Sequence, residues 1–379
     1  MTRKSKVVNE FSGQLPAKEL ATLLHVGGTL ASSLDLPYVL QTAVDSTVRV
    51  LGLDTGAIYQ LEEGLLCLGA TTPPLEPAMS WLLAISERLE NHPHLQQALT
   101  LIQPVSISDT EHAVLSEAEA AVCRARHLKA ILYIPLVLEN QALGALIVGT
   151  TTTAHRFSEH ELDLCRMLAY QITLAVANAR LFKSVREFGV ELAEAYDETL
   201  LGWSLALEMR DQDTQGHTQR VMRLAEALGE SMGVEAGELV HLRRGALLHD
   251  IGKMSVPDEI LKKEGPLSAD EQAIMRKHPE YAYQFLKHIK FLTPALDIPY
   301  CHHEKWDGSG YPRGLAGEAI PLAARIFAVP DVYDALTSDR TYRKALPQQV
   351  SVEYIKGQAG KYFDPQVVKV FLEKVIGSS

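Results

Sequence analysis

The residues of this chain that are best suited to chemistry are histidines and aspartates in its C-terminal half. His249 and Asp250 are adjacent in the run His-Asp-Ile-Gly-Lys, which follows an apolar stretch. Imidazole nitrogens and carboxylate oxygens are the usual protein ligands of catalytic divalent metals. Further residues of these types follow or precede the pair: Asp213, His217, His278, His302, His303 and Asp331. One buried histidine is usually a core residue, but a core rarely contains so many ionisable groups, so the set predicts a multinuclear metal site.

The spacing within His-Asp-Ile-Gly-Lys gives its members different roles. On a helix, successive side chains point about 100° apart, so Asp250 can bridge two metals while His249 binds one. Lys253 follows Asp250 by three residues, on a neighbouring part of the same face, and can reach an anion bound to the metals. Gly252 has no Cβ, so it leaves room for a ligand to approach the backbone.

Together these motifs resemble the HD-GYP family of phosphohydrolases, within the HD superfamily. The resemblance rests on His249–Lys253, on the run His-His-Glu-Lys-Trp-Asp-Gly-Ser-Gly-Tyr-Pro at His302–Pro312, and on Asp331–Arg340. It covers the second half of the chain and implies an all-helical domain with two or three divalent metals, usually iron or manganese. No organic cofactor is assigned. The resemblance also implies hydrolysis of cyclic di-GMP to linear pGpG, and in some members on to GMP.

The resemblance assigns roles to further residues by their positions. His217 matches the metal ligand that precedes Ser or Thr, and Asp331 matches the final ligand of the family. Members with three metals have an acidic residue, usually glutamate, four positions before that histidine. This chain has the shorter Asp213 there, for which a solvated loop carboxylate is an equal alternative. The expected metal ligands are Asp213, His217, His249, Asp250, His278, His302, His303 and Asp331.

Cationic and aromatic side chains are expected to hold the substrate. Arg340 and Arg343 are three residues apart and can present two guanidinium groups to phosphate oxygens. Gly310 lets the loop before the tyrosine turn tightly and approach a ligand. The expected catalytic residues are Asp250 and Lys253. The expected substrate-binding residues are Lys253, Tyr311, Arg340, Arg343, Asp211 and Gly310.

Pro330 departs from the family pattern, which usually has alanine before the final aspartate. Proline removes a helical hydrogen bond and costs about 3 kcal/mol in a helix interior. Either a helix begins here, where proline is tolerated, or Asp331 is displaced from the metals. A displaced ligand would favour a protein that binds cyclic di-GMP and signals without cleaving it. A third alternative is a phosphodiesterase for another cyclic dinucleotide, such as cyclic GMP-AMP, because the sequence does not set base preference.

The first half of the chain alternates helical and strand patterns. Helical spacing occurs at Leu20–Leu34 and Leu36–Leu51, and two β-hairpins are predicted at Ala57–Leu68 and Ala130–Thr150. Ser158 and Glu161 have the spacing of a capping box that opens a long helix. This order resembles a GAF domain, in which helices flank an antiparallel sheet. GAF domains bind small molecules or dimerise, and the ligand of this one is unknown.

The long helix is expected to join the two domains, because Glu159 to about Arg210 contains no proline. Its apolar residues repeat at four and three positions: Leu168, Ile172, Ala175, Ala179 and Phe182. Such a stripe either packs on its own domain or pairs with a partner helix. Its place between two domains favours a homodimer through which the GAF domain regulates the enzyme. The predicted organisation is a polar segment at 1–16, a GAF domain at 17–182, a helical linker at 183–207 and an HD-GYP domain at 208–379.

Composition and charge exclude other classes of protein. A length of 379 residues favours two domains, and the net charge of −11 argues against a nonspecific binder of nucleic-acid polymers. Met1–Pro16 lacks the apolar core of a signal peptide. Ile131–Val148 is the most apolar stretch, but three polar residues interrupt it, so no membrane span is expected. The four cysteines have no metal-binding spacing and suggest a reducing, cytoplasmic location.

Overall fold

The computed structural model describes residues 16–75, 87–211, 216–339 and 344–377. The chain divides after Gly189 into two compact units. The first unit contains an antiparallel sheet with helices, and the described part of the second unit is helical. The predicted fold class is therefore confirmed. No helix in the described ranges is long and apolar enough to cross a membrane.

The first unit is built around one sheet. Its elements are α1 (Ala17–Ala31), α2 (Leu36–Leu51), β1 (Thr55–Glu62), β2 (Leu65–Thr72), β3 (Glu87–Arg88), α3 (Pro93–Leu101), β4 (Val105–Ile107), α4 (Glu117–Ala125), β5 (Ala130–Leu138), β6 (Gln141–Thr150) and the start of α5 (Glu159–Asp211). The six strands in the described residues are ordered β3-β2-β1-β6-β5-β4, and neighbouring strands are antiparallel. The predicted hairpins are β1–β2 and β5–β6.

Helix α5 begins with the predicted capping box. Ser158 N donates to Glu161 Oε2 at 2.7 Å, and Glu161 N donates to Ser158 Oγ at 3.3 Å. Beyond this cap, one apolar face of α5 packs into the core that the sheet shares with α1 and α2. The helix is thereby fixed to the first unit over its initial turns.

The stripe expected to pair two chains lies largely in this core. Leu168, Ile172, Ala175 and Ala179 are buried, whereas Phe182 is 49% exposed. The assignment of the four buried residues to a dimer seam is therefore wrong, because their own domain already covers them. A helical stripe reports that one face of a helix is apolar, but it does not report what packs against that face.

The second unit contains the last part of α5, from Val190, and a set of mostly short helices that follow it. They are α6 (His217–Ser231), α7 (Ala236–Leu247), α8 (Asp258–Leu261), α9 (Ala269–Met275), α10 (His278–Leu286), α11 (Asp297–Cys301), α12 (Leu322–Thr337), α13 (Gln348–Gly357) and α14 (Pro365–Val370), with 3₁₀ helices at Ile251–Ser255, Lys290–Ala295 and Gly317–Ala319 and a π-helical turn at Phe371–Ile376. Helices α6, α7 and α12 share one apolar core around the fully buried Phe327. This packing brings the start of α6, the end of α7 and the middle of α12 close together.

Two local expectations for this unit need correction. The helix expected to carry His249 and Asp250 ends at Leu247, so the pair lies in the turn before the 3₁₀ helix. Helix α12 runs through Pro330 without a new start there. The turns between the short helices set these boundaries, and they carry no apolar period from which a boundary could be located.

Candidate metal centre

Seven metal-ligand side chains converge in the second unit as two clusters. The first cluster contains Asp250, His278, His302 and His303, and the second contains His217, His249 and Asp331. Within each cluster, one ligand atom per residue lies within 4.8 Å of the others. Helix ends and turns supply most of these residues, since short helices let several chain segments reach one point.

The histidine rings are held in one orientation by the backbone. A ring whose Nδ1–H is bound by a carbonyl presents Nε2 to a metal. Three histidines donate in this way: His249 to the carbonyl of Ala246 at 2.8 Å, His278 to that of Met275 at 2.8 Å, and His302 to that of Ile298 at 3.0 Å. The Nε2 atoms of His278 and His302 consequently lie 3.2 Å apart.

Asp250 lies between the two clusters. Its Oδ2 is 3.1 Å from His249 Nε2, and its Oδ1 is 3.3 Å from His278 Nε2 and 3.7 Å from His302 Nε2. Burial opposes the charge of this carboxylate, but His249 and Lys253 outweigh that effect and hold its pKa well below the ordinary value. Each oxygen thus faces a different cluster in the anionic form that a bridging ligand requires.

The donor set fits divalent metals. Burial lowers the pKa of His278 to about 4, and burial together with the neighbouring His302 and His278 holds the pKa of His303 well below its usual value. A neutral imidazole is the form that binds a metal. The full set of five imidazoles and two carboxylates suits first-row transition metals such as iron, manganese or zinc better than calcium, which prefers oxygen ligands.

Asp331 belongs to the second cluster despite the proline that precedes it. Its Oδ1 lies 3.3 Å from His217 Nε2, and Pro330 is buried within the same helix. Neither alternative drawn from the sequence applies, because the helix does not start at Pro330 and Asp331 is not displaced. Pro330 cannot donate a backbone hydrogen bond, yet α12 continues through it to Thr337.

Lys253 extends its ammonium group to the edge of the first cluster. Its Nζ donates to Asp211 Oδ2 at 2.6 Å and to Asp250 Oδ2 at 2.8 Å. Burial disfavours the charged amine, but Asp250 and Asp211 overcome this and raise its pKa above the ordinary value. Lys253 therefore remains a cation, and Asp211 is placed beside this lysine.

Tyr311 covers the first cluster from the glycine-rich loop. Its ring stacks on His303 with centroids 4.7 Å apart and 25° between the planes. The guanidinium carbon of Arg276 lies 4.4 Å from the Tyr311 centroid. Arg276 had not been singled out from the sequence, where nothing in its helix distinguishes it from a solvated surface cation.

The two glycines that were expected to admit a ligand instead admit the protein's own backbone. A Cβ on Gly252 would lie 1.8 Å from the carbonyl oxygen of His278. A Cβ on Gly310 would lie 2.4 Å from Lys305 N and 2.6 Å from the carbonyl oxygen of His303. Glycine is needed at both positions because these segments pack against the turns that carry metal ligands.

A further buried carboxylate, Asp334, supports the second cluster. His217 Nδ1 donates to Asp334 Oδ2 at 2.7 Å, and Arg220 Nε donates to Asp334 Oδ1 at 2.7 Å. A carboxylate behind a ligating histidine fixes its tautomer and makes it a better ligand. Asp334 follows Asp331 by three residues, so one helical turn of spacing was the available signal.

Glu208, near the end of α5, stabilises the start of α6, where His217 lies. It accepts hydrogen bonds from Gly216 N at 3.1 Å and from Thr218 N at 2.9 Å, which satisfies amides at the start of α6. Three other expected site residues lie outside the described residues: Asp213, Arg340 and Arg343.

A helical unit that gathers five imidazoles and two carboxylates has a ligand set suited to divalent metals. Residues 204–367 match the model of the HD domain, and residues 35–176 match that of the GAF domain. The chain is accordingly a GAF domain followed by an HD domain, and its HD half is homologous to HD-GYP phosphodiesterases of cyclic dinucleotides.

Two curated relatives illustrate this similarity. The chain is 38% identical to the 3'3'-cGAMP-specific phosphodiesterase 2 of Vibrio cholerae over 57% of this chain and 40% of the relative. It is 41% identical to the cyclic di-GMP phosphodiesterase response regulator RpfG of Xanthomonas campestris, over 48% of this chain and 49% of the relative. The chain thus spans half or less of the length of either relative.

Among solved structures, the GAF domain of a phosphoenolpyruvate-protein phosphotransferase from Coxiella burnetii is similar to the first unit. The match has 18% identity and a TM-score of 0.39, and it covers 44% of this chain and 96% of that chain.

Proposed function

We propose that this chain is a metal-dependent phosphodiesterase that hydrolyses cyclic di-GMP to pGpG, and pGpG on to GMP where a third metal binds. The observation that carries the proposal is the position of Asp250, whose two oxygens face separate histidine clusters while Lys253 lies 2.8 Å away. Two adjacent sites for divalent metals beside a fixed cation suit in-line displacement at phosphorus. Iron or manganese is the proposed metal.

Each group of residues would have a separate role in this reaction. The seven clustered side chains would hold the metals, which would supply Lewis-acid activation of the phosphoryl group and lower the pKa of a bound water. Lys253 neutralises charge that develops on the phosphoryl oxygens, and it is already positioned before substrate arrives. His303 and Arg276 cover the two faces of the Tyr311 ring, so a purine base would stack on the outer face of the Arg276 guanidinium group, and Tyr311 would contact the base or a phosphate from its edge. Asp213 is proposed to bind a third metal, and Arg340 and Arg343 are proposed to bind phosphate oxygens.

The first rival is a phosphodiesterase that prefers cyclic GMP-AMP. The Vibrio cholerae relative named above is specific for 3'3'-cGAMP, and it matches a larger share of this chain than the cyclic di-GMP relative does. Both substrates contain two purines and two phosphodiesters, so the metal clusters and Lys253 would serve either one. Discrimination between cyclic di-GMP and cyclic GMP-AMP would depend on groups that contact the edges of the bases.

The second rival is a protein that binds a cyclic dinucleotide without cleaving it. Its main support was the expected displacement of Asp331 by Pro330. With Asp331 Oδ1 3.3 Å from His217 Nε2, that support is removed. Hydrolysis is therefore the better proposal.

The GAF domain is proposed to regulate turnover through a homodimer, with the organisation 17–182, 183–207 and 208–379 predicted above. Apolar residues of α5 that remain exposed follow one another at three or four positions: Phe182, Val185, Phe188 and Leu192. Replacing Val185 and Phe188 with glutamate should split this dimer, since paired buried charges are strongly unfavourable. Sedimentation that shows a monomeric parent would contradict the dimer.

Product analysis tests the proposed activity. Purified protein loaded with iron or manganese would be offered cyclic di-GMP, 3'3'-cGAMP and cyclic di-AMP separately, and the products would be resolved by chromatography. We expect the fastest conversion for cyclic di-GMP, with pGpG as the first product. Faster cleavage of 3'3'-cGAMP would favour the first rival. Tight binding with no product from any substrate, at full metal content, would favour the second.

A further inference from the structure

Arg210, in the last turn of helix α5, contacts the segment that follows the His-Asp pair. Arg210 Nη1 donates to the carbonyl oxygens of Lys253 at 3.3 Å and Met254 at 2.9 Å, and Nη2 donates to that of Val256 at 3.0 Å. Nε and Nη2 also donate to Asp258 Oδ1, at 3.1 Å and 2.7 Å. A guanidinium group can make so many bonds because its five N–H groups form a rigid fork.

Two of these carbonyls belong to the end of a short helix, and that of Val256 directly follows it. Ile251–Ser255 is a 3₁₀ helix, in which Lys253 N donates to the carbonyl of Asp250 at 2.8 Å. The last carbonyls of a helix lack intrahelical donors, and here the Lys253 carbonyl accepts from Val256 N at 3.0 Å as well as from Arg210. A basic side chain is a usual way to satisfy them, but here it comes from another helix, more than forty residues earlier in the chain.

The next residue, Asp211, binds the other end of Lys253. Its Oδ2 accepts from Lys253 Nζ at 2.6 Å, while Arg210 binds the Lys253 carbonyl. Two consecutive residues of α5 therefore fix both the backbone and the ammonium group of one lysine. The end of α5 is itself anchored, since Leu200 packs in a buried cluster with Leu248 and Ile251.

We propose that Arg210 is a positioning residue that holds Lys253 in place for the reacting phosphate, so that the end of α5 is part of the catalytic machinery. The inference rests on the proposed function, in which Lys253 meets the substrate. Arg210 itself touches neither metal ligands nor substrate. Because it bonds to the turn and not to the clusters, its loss should change turnover while the metals stay bound.

Arg210→Ala should lower kcat by about 10- to 100-fold, as expected when a catalytic group is misplaced by about 1 Å. Metal content should equal that of the parent. Arg210→Lys should restore part of the rate, because one ammonium group can bind carbonyls but cannot reproduce the planar fork. Hydrogen exchange of the backbone amides in 251–256 should be faster in Arg210→Ala than in the parent.

Arg244→Ala is the matched control. Arg244 Nε donates to Asp197 Oδ1 at 2.6 Å and its guanidinium group lies over the Phe291 ring, so it ties α5 to α7 and to the 3₁₀ helix at Lys290–Ala295, away from the one at Ile251–Ser255. Its removal should lower the melting temperature without changing kcat or amide exchange in 251–256.

A double-mutant cycle separates positioning from general stability. If Arg210 acts through Lys253, Arg210→Ala should cause no further loss of kcat in a Lys253→Ala background. Independent, multiplying losses would overturn the proposal, and so would unchanged amide exchange in Arg210→Ala. A parent that cleaves no cyclic dinucleotide would refute the proposed function alone, and amide exchange would then decide whether Arg210 holds the turn.

Discussion

Asp334 offers a sharp test of how the second cluster is supported. Asp334→Asn keeps the size of the side chain but removes the charge that faces His217 Nδ1 at 2.7 Å and Arg220 Nε at 2.7 Å. Burial opposes that charge, whereas His217 and Arg220 together hold the pKa of Asp334 below its ordinary value, so the carboxylate is ionised at neutral pH. The variant therefore presents a weaker acceptor to both partners.

The loss can be estimated from the role of the carboxylate. Removing the hydrogen-bond partner of a ligating histidine typically costs about 10- to 100-fold in metal affinity, or about 1.4 to 2.8 kcal/mol. We expect a loss in this range for the metal that His217 binds, with kcat falling in parallel at limiting metal. The assay is a titration of chelator-stripped protein with manganese against a competing chelator.

Asp364→Asn is the control for that measurement. Asp364 is also buried, and it accepts from Arg325 Nη1 at 2.6 Å and from Gln366 N at 2.8 Å. It lies behind no metal ligand, so its replacement should lower stability and leave metal affinity unchanged. Equal manganese affinity in the parent and Asp334→Asn, or an equal loss in Asp364→Asn, would refute the supporting role of Asp334.

Four further outcomes are expected. Asp250→Ala should abolish turnover and lower bound metal, and full occupancy by elemental analysis would remove Asp250 from the bridging role. Lys253→Ala should retain the metals but lower kcat/KM for cyclic di-GMP, and an unchanged kcat/KM would refute its contact with substrate. Gly252→Ala should destabilise the fold by about 1–3 kcal/mol in a denaturant titration, since its Cβ would lie 1.8 Å from the His278 oxygen. Asp213→Ala should accumulate pGpG if this residue holds a third metal, whereas an unchanged product ratio and metal count would make it an ordinary loop carboxylate.

Regular elements of the first unit could be predicted from the sequence because their side chains follow a local period. The strands of the two hairpins are short, mostly apolar runs bounded by turn residues, and the observed strands extend the predicted ones by a few residues at most. The partner of an apolar stripe is not local information. The same pattern at Leu168 and Ile172 fits a core or a coiled coil, and only packing assigns it to the core.

The two glycines at the candidate metal centre show the same limit of prediction from sequence. Gly252 and Gly310 were correctly identified as places of close approach, because the absence of a Cβ is a local property. What approaches them depends on chain segments elsewhere. At Gly252 it is the start of α10, which carries His278, and at Gly310 it is the turn after His303.

The sequence by itself determined the chemistry, because residue types and short spacings are local. Histidines and aspartates in ordered motifs indicated metal binding, and Lys253 three residues after Asp250 indicated an anion-binding cation. The tertiary structure alone decided how these groups face one another. It joined Asp334 to His217 across 117 positions and Arg210 to the Lys253 turn across 43. Such contacts arise from the packing of helices around a shared core, which no periodicity within one segment encodes.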